Sequence, residues 1–132
     1  MVYSDFGPTP FSNALHLRSR EKIIAMFVER RGNRDVMTGL ALNSYTPVEI
    51  VEFIQAKPQW ILSYGEFHVR VDEELKEKKH RAMRHGEWLS KKDQEGLRSY
   101  EQSYVFDYLY LTGQREKCFD EELVDNLKAE FW

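Results

Sequence analysis

Helix start and stop signals recur along the whole chain, and they constrain its fold more than any other feature. The clearest is Thr46-Pro47-Val48-Glu49. Thr46 can cap a helix, Pro47 suits the first helical position, and Glu49 can reach back to the cap backbone. The helix so begun runs to about Ala56, and Pro58 ends it. Ser19 precedes a second helix, with Ile23, Ile24, Phe27 and Val28 on one face and Arg30-Arg31-Gly32 as its stop. Between these two, Asp35 to Asn43 reads as a short helix with Val36, Met37, Leu40 and Ala41 inward. Gly39 there permits close approach of a neighbour.

Further along, Ser90-Lys91-Lys92-Asp93 resembles another capping box. Leu97, Tyr100, Tyr104, Tyr108 and Leu111 follow it as an apolar and aromatic stripe ending at Thr112-Gly113. Asp120 caps a last helix, with Glu121 and Glu122 complementing the helix dipole and Leu123, Val124, Leu127 and Phe131 inward. Asp72 to His85 is also helical, dense in charge, with Gly86 near its end.

Residues 59–71 are a fork. Phe67, Val69 and Val71 alternate with Glu66, His68 and Arg70, a strand pattern that Tyr64-Gly65 could turn back onto Trp60-Ile61-Leu62. Ile61, Tyr64, His68, Val71, Leu75 and Ala82 instead lie at three- and four-residue steps and extend one long helix. A lone hairpin is marginal without a third strand, so the helical branch is favoured. The expected fold is all-α, with five or six helices in a single domain over 1–132; the alternative is α+β with a hairpin in 59–71. Residues 1–13, with Gly7, Pro8, Pro10, Phe6 and Phe11, are expected to form an extended arm.

At 132 residues the chain is long enough for one core, and its 14% aromatic content argues against disorder. The net charge of −3 conceals a polarised chain. Arg18 to Arg34 and Lys76 to Lys92 are basic, whereas Asp107 to Glu130 is acidic. No export signal or membrane span is expected. Cys118 has no second cysteine in the chain to pair with, so a reducing compartment, the cytoplasm, is expected.

No motif for phosphate cradling, nucleophile elbows or zinc proteases occurs, so enzymatic activity is not favoured and no cofactor is expected. Glu77 and His80 lie one helical turn apart, but no second Glu-x-x-His completes a di-iron set, and His80 and His85 point to different sides; no metal is expected. Tyr100, Tyr104 and Tyr108 read as packing residues. A helix-turn-helix is disfavoured because Val48 to Ile54 offers acidic and apolar side chains where bases would be read.

The candidate contact surface is Lys76, Lys78, Lys79, His80, Arg81, Arg84, His85, Trp88, Lys91 and Lys92. The expected role is a helical protein-interaction module, self-associating through its basic and acidic halves and acting as an accessory regulator or inhibitor of a larger complex. The alternative is nucleic-acid binding through segment 76–92, where lysines and arginines would neutralise phosphates and Trp88 would stack on bases. A third reading is an enzyme with scattered catalytic residues around His68, His80 or His85.

Overall fold

The computed structural model of the chain describes residues 9–131. Its elements are α1 (Pro10–Leu15), α2 (Arg20–Glu29), α3 (Arg34–Leu42), α4 (Val48–Gln55), α5 (Phe67–Ser90), α6 (Ser99–Leu111) and α7 (Glu121–Phe131), and no strand occurs among the described residues. The fold is therefore all-α. None of these helices is long and apolar enough to cross a membrane.

Part of the expected extended arm is helical, and residues 1–8 of that arm lie outside the described residues. Thr9 accepts a hydrogen bond from the Ser12 N–H at 3.1 Å, and Pro10 occupies the first helical position, where its missing N–H costs nothing. α1 then packs on α3 through Gly39. A Cβ there would stand 2.5 Å from the Phe11 carbonyl oxygen and 2.8 Å from the Ala14 Cβ, so the close approach needs glycine.

Ser19 caps α2 as its sequence predicts, accepting from the Lys22 N–H at 3.3 Å, and Gly32 follows with φ +85°. Ile23, Ile24 and Phe27 are buried, but Val28 faces solvent. Asn33 caps α3 through the Val36 N–H at 3.1 Å.

The fork at 59–71 resolves into neither branch as drawn. A 3-10 turn at Pro58–Trp60 leads into a loop, and consecutive left-handed residues, Gly65 (φ +66°) and Glu66 (φ +58°), reset the chain before α5 starts at Phe67. A helix cannot run through two such residues. Ile61 is still buried, and the Leu62 N–H donates to Thr38 Oγ1 at 2.9 Å, so this loop is anchored on α3.

Two boundaries differ from their sequence signals. α5 continues past Gly86 to Ser90, whose hydroxyl donates to the Glu87 carbonyl at 2.7 Å and so closes a helix where a new one was expected to open. α6 begins at Ser99 instead, with the Arg98 N–H donating to Glu101 Oε1 at 3.1 Å. Asp120 caps α7 as expected, accepting from the Leu123 N–H at 3.1 Å. One contiguous core takes residues from all seven helices, among them Ala14, Ile23, Met37, Ile54, Val71, Leu109 and Leu127. The inward position expected of the Phe131 side chain lies outside what is described.

Candidate functional site

The basic segment is not one surface. Lys78 is only 2% exposed, and its ammonium donates to the Asn43 carbonyl at 2.7 Å with Glu74 at 3.6 Å. It belongs to the core and is no part of the contact surface expected over 76–92. Its position foretold this: Lys78 follows Leu75 by three residues and precedes Ala82 by four, on the same buried face of α5. Lys79 pairs with Glu52 at 3.0 Å and Arg81 with Glu74 at 3.0 Å. Lys76, His80, Arg84, His85, Trp88, Lys91 and Lys92 are exposed, but so are Glu73, Glu77 and Glu87 among them.

Beneath that surface lies a buried set of charges joining four segments. Asp107 on α6 accepts from the Val48 N–H at 3.0 Å and so caps α4 from across the fold. Thr46, expected in that role, donates instead to the Leu40 carbonyl at 2.6 Å, and Glu49 pairs with Arg115 at 2.9 Å. A carboxylate reaching an orphan N–H from another helix displaces the local cap because burial leaves that N–H no water. Burial pushes the Asp107 carboxyl up to about 6, against the pull of Lys78, and pulls the Lys78 ammonium down to about 8, against that of Asp107. Asn43, on whose carbonyl Lys78 sits, also donates through its side chain to the Ala14 and Leu17 carbonyls at 2.9 and 2.8 Å. The connection from α3 to α4 is thus held from several sides.

Arg115 stacks over Phe106 with its guanidinium carbon 3.7 Å from the ring centroid, and Nη1 donates to the Phe106 carbonyl at 3.3 Å. Tyr110 donates to Glu52 at 2.8 Å; burial, reinforced by that carboxylate, pushes its hydroxyl above the usual phenol range. No local sign in the sequence marks the Asp107–Val48, Tyr110–Glu52 and Arg115–Glu49 pairs, because the two members of each are more than fifty residues apart.

At the outer end of this network, the α3–α4 connection, α5 and α6 enclose a half-open cleft of about 170 Å³. It is lined by Ser44, Tyr45, Arg81, Tyr100, Ser103 and Tyr104. Gly86 draws α5 and α6 together beside it: a Cβ there would meet the Tyr108 Cβ at 2.3 Å. His85 stacks on Tyr104 with centroids 5.6 Å apart, and Tyr100 meets Tyr104 edge-on at 5.9 Å. The tyrosine stripe predicted as packing therefore sits at the rim of the core, with Tyr100 44% exposed. Arg18 lies over the Tyr45 ring at 5.2 Å. Behind the cleft, Arg20 donates to Ser103 Oγ at 2.8 Å, to the Ser99 carbonyl at 3.1 Å and to Gln102 Oε1 at 3.0 Å. One turn along α5 from His85, Trp88 is 63% exposed, with the Lys92 ammonium 3.6 Å from its ring centroid.

The acidic C-terminal helix is also placed by the fold. α7 packs on α2 of its own chain, and Glu130 pairs with Arg31, so part of the basic–acidic complementarity is satisfied internally. Among the described residues no group of three or more His, Cys, Asp or Glu side chains is disposed to hold a metal ion. Compared with protein-family models, with curated proteins and with solved structures, the chain matches none.

Proposed function

We propose that this chain is a helical protein-binding module whose contact face is the aromatic and basic rim where α5 meets α6. The carrying observation is the cluster of Trp88, His85, Tyr100 and Tyr104, bordered by Arg84 and Lys92, in exposed or half-exposed positions. Tryptophan, tyrosine and arginine are the residues on which binding energy concentrates at protein interfaces. The neighbouring cleft supports the same reading by its size. At about 170 Å³ it falls below the roughly 300–1,000 Å³ of small-molecule sites, and it suits a single side chain offered by a partner.

Nucleic-acid binding through 76–92 is the weaker reading. Lys78, Lys79 and Arg81 are engaged by internal acceptors, and exposed Glu73, Glu77 and Glu87 share the helix with the remaining cations. An accessory or inhibitory role in a larger complex is one form that a module of this kind takes.

A photo-crosslinking residue in place of Trp88, with a control in place of the exposed Asn126 on α7, tests the face. Adducts should form from position 88 in a native lysate, be absent from position 126, and fall at least fivefold when Tyr100→Ala is added. Equal adducts from both positions would refute the assignment. Sedimentation of the purified protein then tells whether the partner is a second copy. A labelled oligonucleotide retained steeply less as salt rises would favour the nucleic-acid reading instead.

A further inference from the structure

The cleft beside the proposed binding face has a chemistry that narrows its occupant. Five of the six lining residues have donors to offer it: the hydroxyls of Ser44, Tyr45, Tyr100 and Tyr104 and the guanidinium of Arg81. No carboxylate is among the lining residues. The four hydroxyls have no hydrogen-bond partner among the described residues, so they stand ready for a group from outside. Ser103 differs, because its oxygen already accepts from Arg20 and its hydrogen goes to the Ser99 carbonyl at 3.2 Å.

The charges around the cleft reinforce this. Arg81 is held by Glu74 at 3.0 Å through one terminal nitrogen, while its other terminal nitrogen has only the exposed Glu77 at 4.0 Å. Neither glutamate lines the cleft. Arg18 stands over Tyr45 at one wall, and Arg20 stands behind Ser103 at another. One guanidinium, that of Arg81, thus lines a site walled by three aromatic rings, with Arg18 and Arg20 set behind two of its lining residues.

Resting on the binding-face reading above, we infer that this cleft seats a carboxylate side chain of an acidic partner segment. The acid would take its hydrogen bonds from Arg81 and the tyrosine hydroxyls while flanking residues pack on Tyr100 and Trp88. A planar guanidinium offers a carboxylate two parallel donors, and displacing the weakly held Glu77 is the smaller loss. Electrostatic complementarity of this kind fixes the register of a docked segment and speeds its encounter.

The probe is a fluorescein-labelled short peptide of alternating glutamate and tyrosine, read by anisotropy against its glutamine counterpart and against the same peptide phosphorylated on tyrosine. The glutamate peptide should bind at least tenfold more tightly than the glutamine one and should weaken as salt rises. Tyr100→Phe, which removes one exposed hydroxyl, should weaken it about threefold, and Arg81→Gln at least tenfold with the helical circular dichroism unchanged. The inference is overturned if glutamate and glutamine peptides bind alike, if the peptide does not bind, or if both variants bind as the parent does. It is also overturned if only the phosphorylated peptide binds. Adducts from position 88 in the same preparation would then leave the binding face standing, and their absence would remove both.

Discussion

Gly86 carries two opposing physical tendencies, and magnitude decides between them. A glycine inside a helix costs roughly 1 kcal/mol relative to alanine, so propensity alone favours Gly86→Ala. In the folded chain the new Cβ would lie 2.3 Å from the Tyr108 Cβ and 2.9 Å from the Tyr104 carbonyl oxygen. Neither is the mobile end of a side chain, so α5 and α6 must separate, at an overpacking cost of about 1–3 kcal/mol. Gly86→Ala is therefore expected to lower the urea midpoint, with Gly113→Ala as the contrast. Gly113 sits at φ +71° with nothing within 4 Å of its absent Cβ, so that substitution meets backbone strain alone, about 1 kcal/mol. A raised midpoint for Gly86→Ala would mean the helices are not in contact there. The sequence displays the glycine but not its reason, since a helix-ending glycine and a helix-contact glycine look alike until the neighbour is known.

Among the elements, a local cap was neither sufficient nor necessary for a boundary to be legible: the Thr9 cap of α1 and the Glu101 contact at the start of α6 are local and were not read, whereas the start of α4 was. Ser19 and Asp120, read as caps in the sequence, each accept from an N–H three residues on, and Asn33, which was not read, does the same for α3. The start of α4 carries the best local signal of all, yet its first N–H is satisfied by Asp107, fifty-nine residues away. This long-range cap has a consequence in pH. The Asp107 carboxyl titrates near 6 in the folded chain and at about 3.9 when unfolded. Folding therefore takes up a proton between those values, and the contribution of this group to stability rises as pH falls through 6. Comparison with Asp107→Asn, which keeps an oxygen for the Val48 N–H but cannot titrate, isolates the effect. From pH 7 to pH 5 the parent should gain about 1 kcal/mol relative to the variant in urea unfolding. Lys78, pulled down to about 8, works at the other end: its contribution rises only as pH climbs from 8 toward the ordinary lysine value. Further lowering of Lys78 in the variant would add to the same difference at acid pH. A parent and variant that run parallel from pH 7 to pH 5 would show that Asp107 stays ionised through this range and that burial does not raise its carboxyl.

At the scale of the molecule, the candidate site was legible in part. Its α5 members, Arg81, His85 and Trp88, stand within one charged segment and were open to a reading of the sequence. Ser44, Tyr45, Tyr100, Ser103 and Tyr104 come from other elements, and periodicity reveals which face of a helix is apolar without revealing what lies against it. What joins them is the core itself, a single cluster to which α7 contributes Leu123, Val124 and Leu127 against α2. If that cluster is one cooperative unit, α7 cannot melt by itself even though it closes the order of elements and carries much of the acidic charge. Leu127 is 1% exposed, and Leu127→Ala should cost about 2–5 kcal/mol through lost burial and the cavity left behind. Far-ultraviolet circular dichroism, which follows all seven helices, and near-ultraviolet circular dichroism, to which the packed Phe27, Phe53 and Trp60 rings contribute, should report one transition in the parent. In Leu127→Ala both should move together to lower denaturant. A helical signal lost ahead of the aromatic one in the variant would make α7 a separable appendage, and the unity of the core would end at α6.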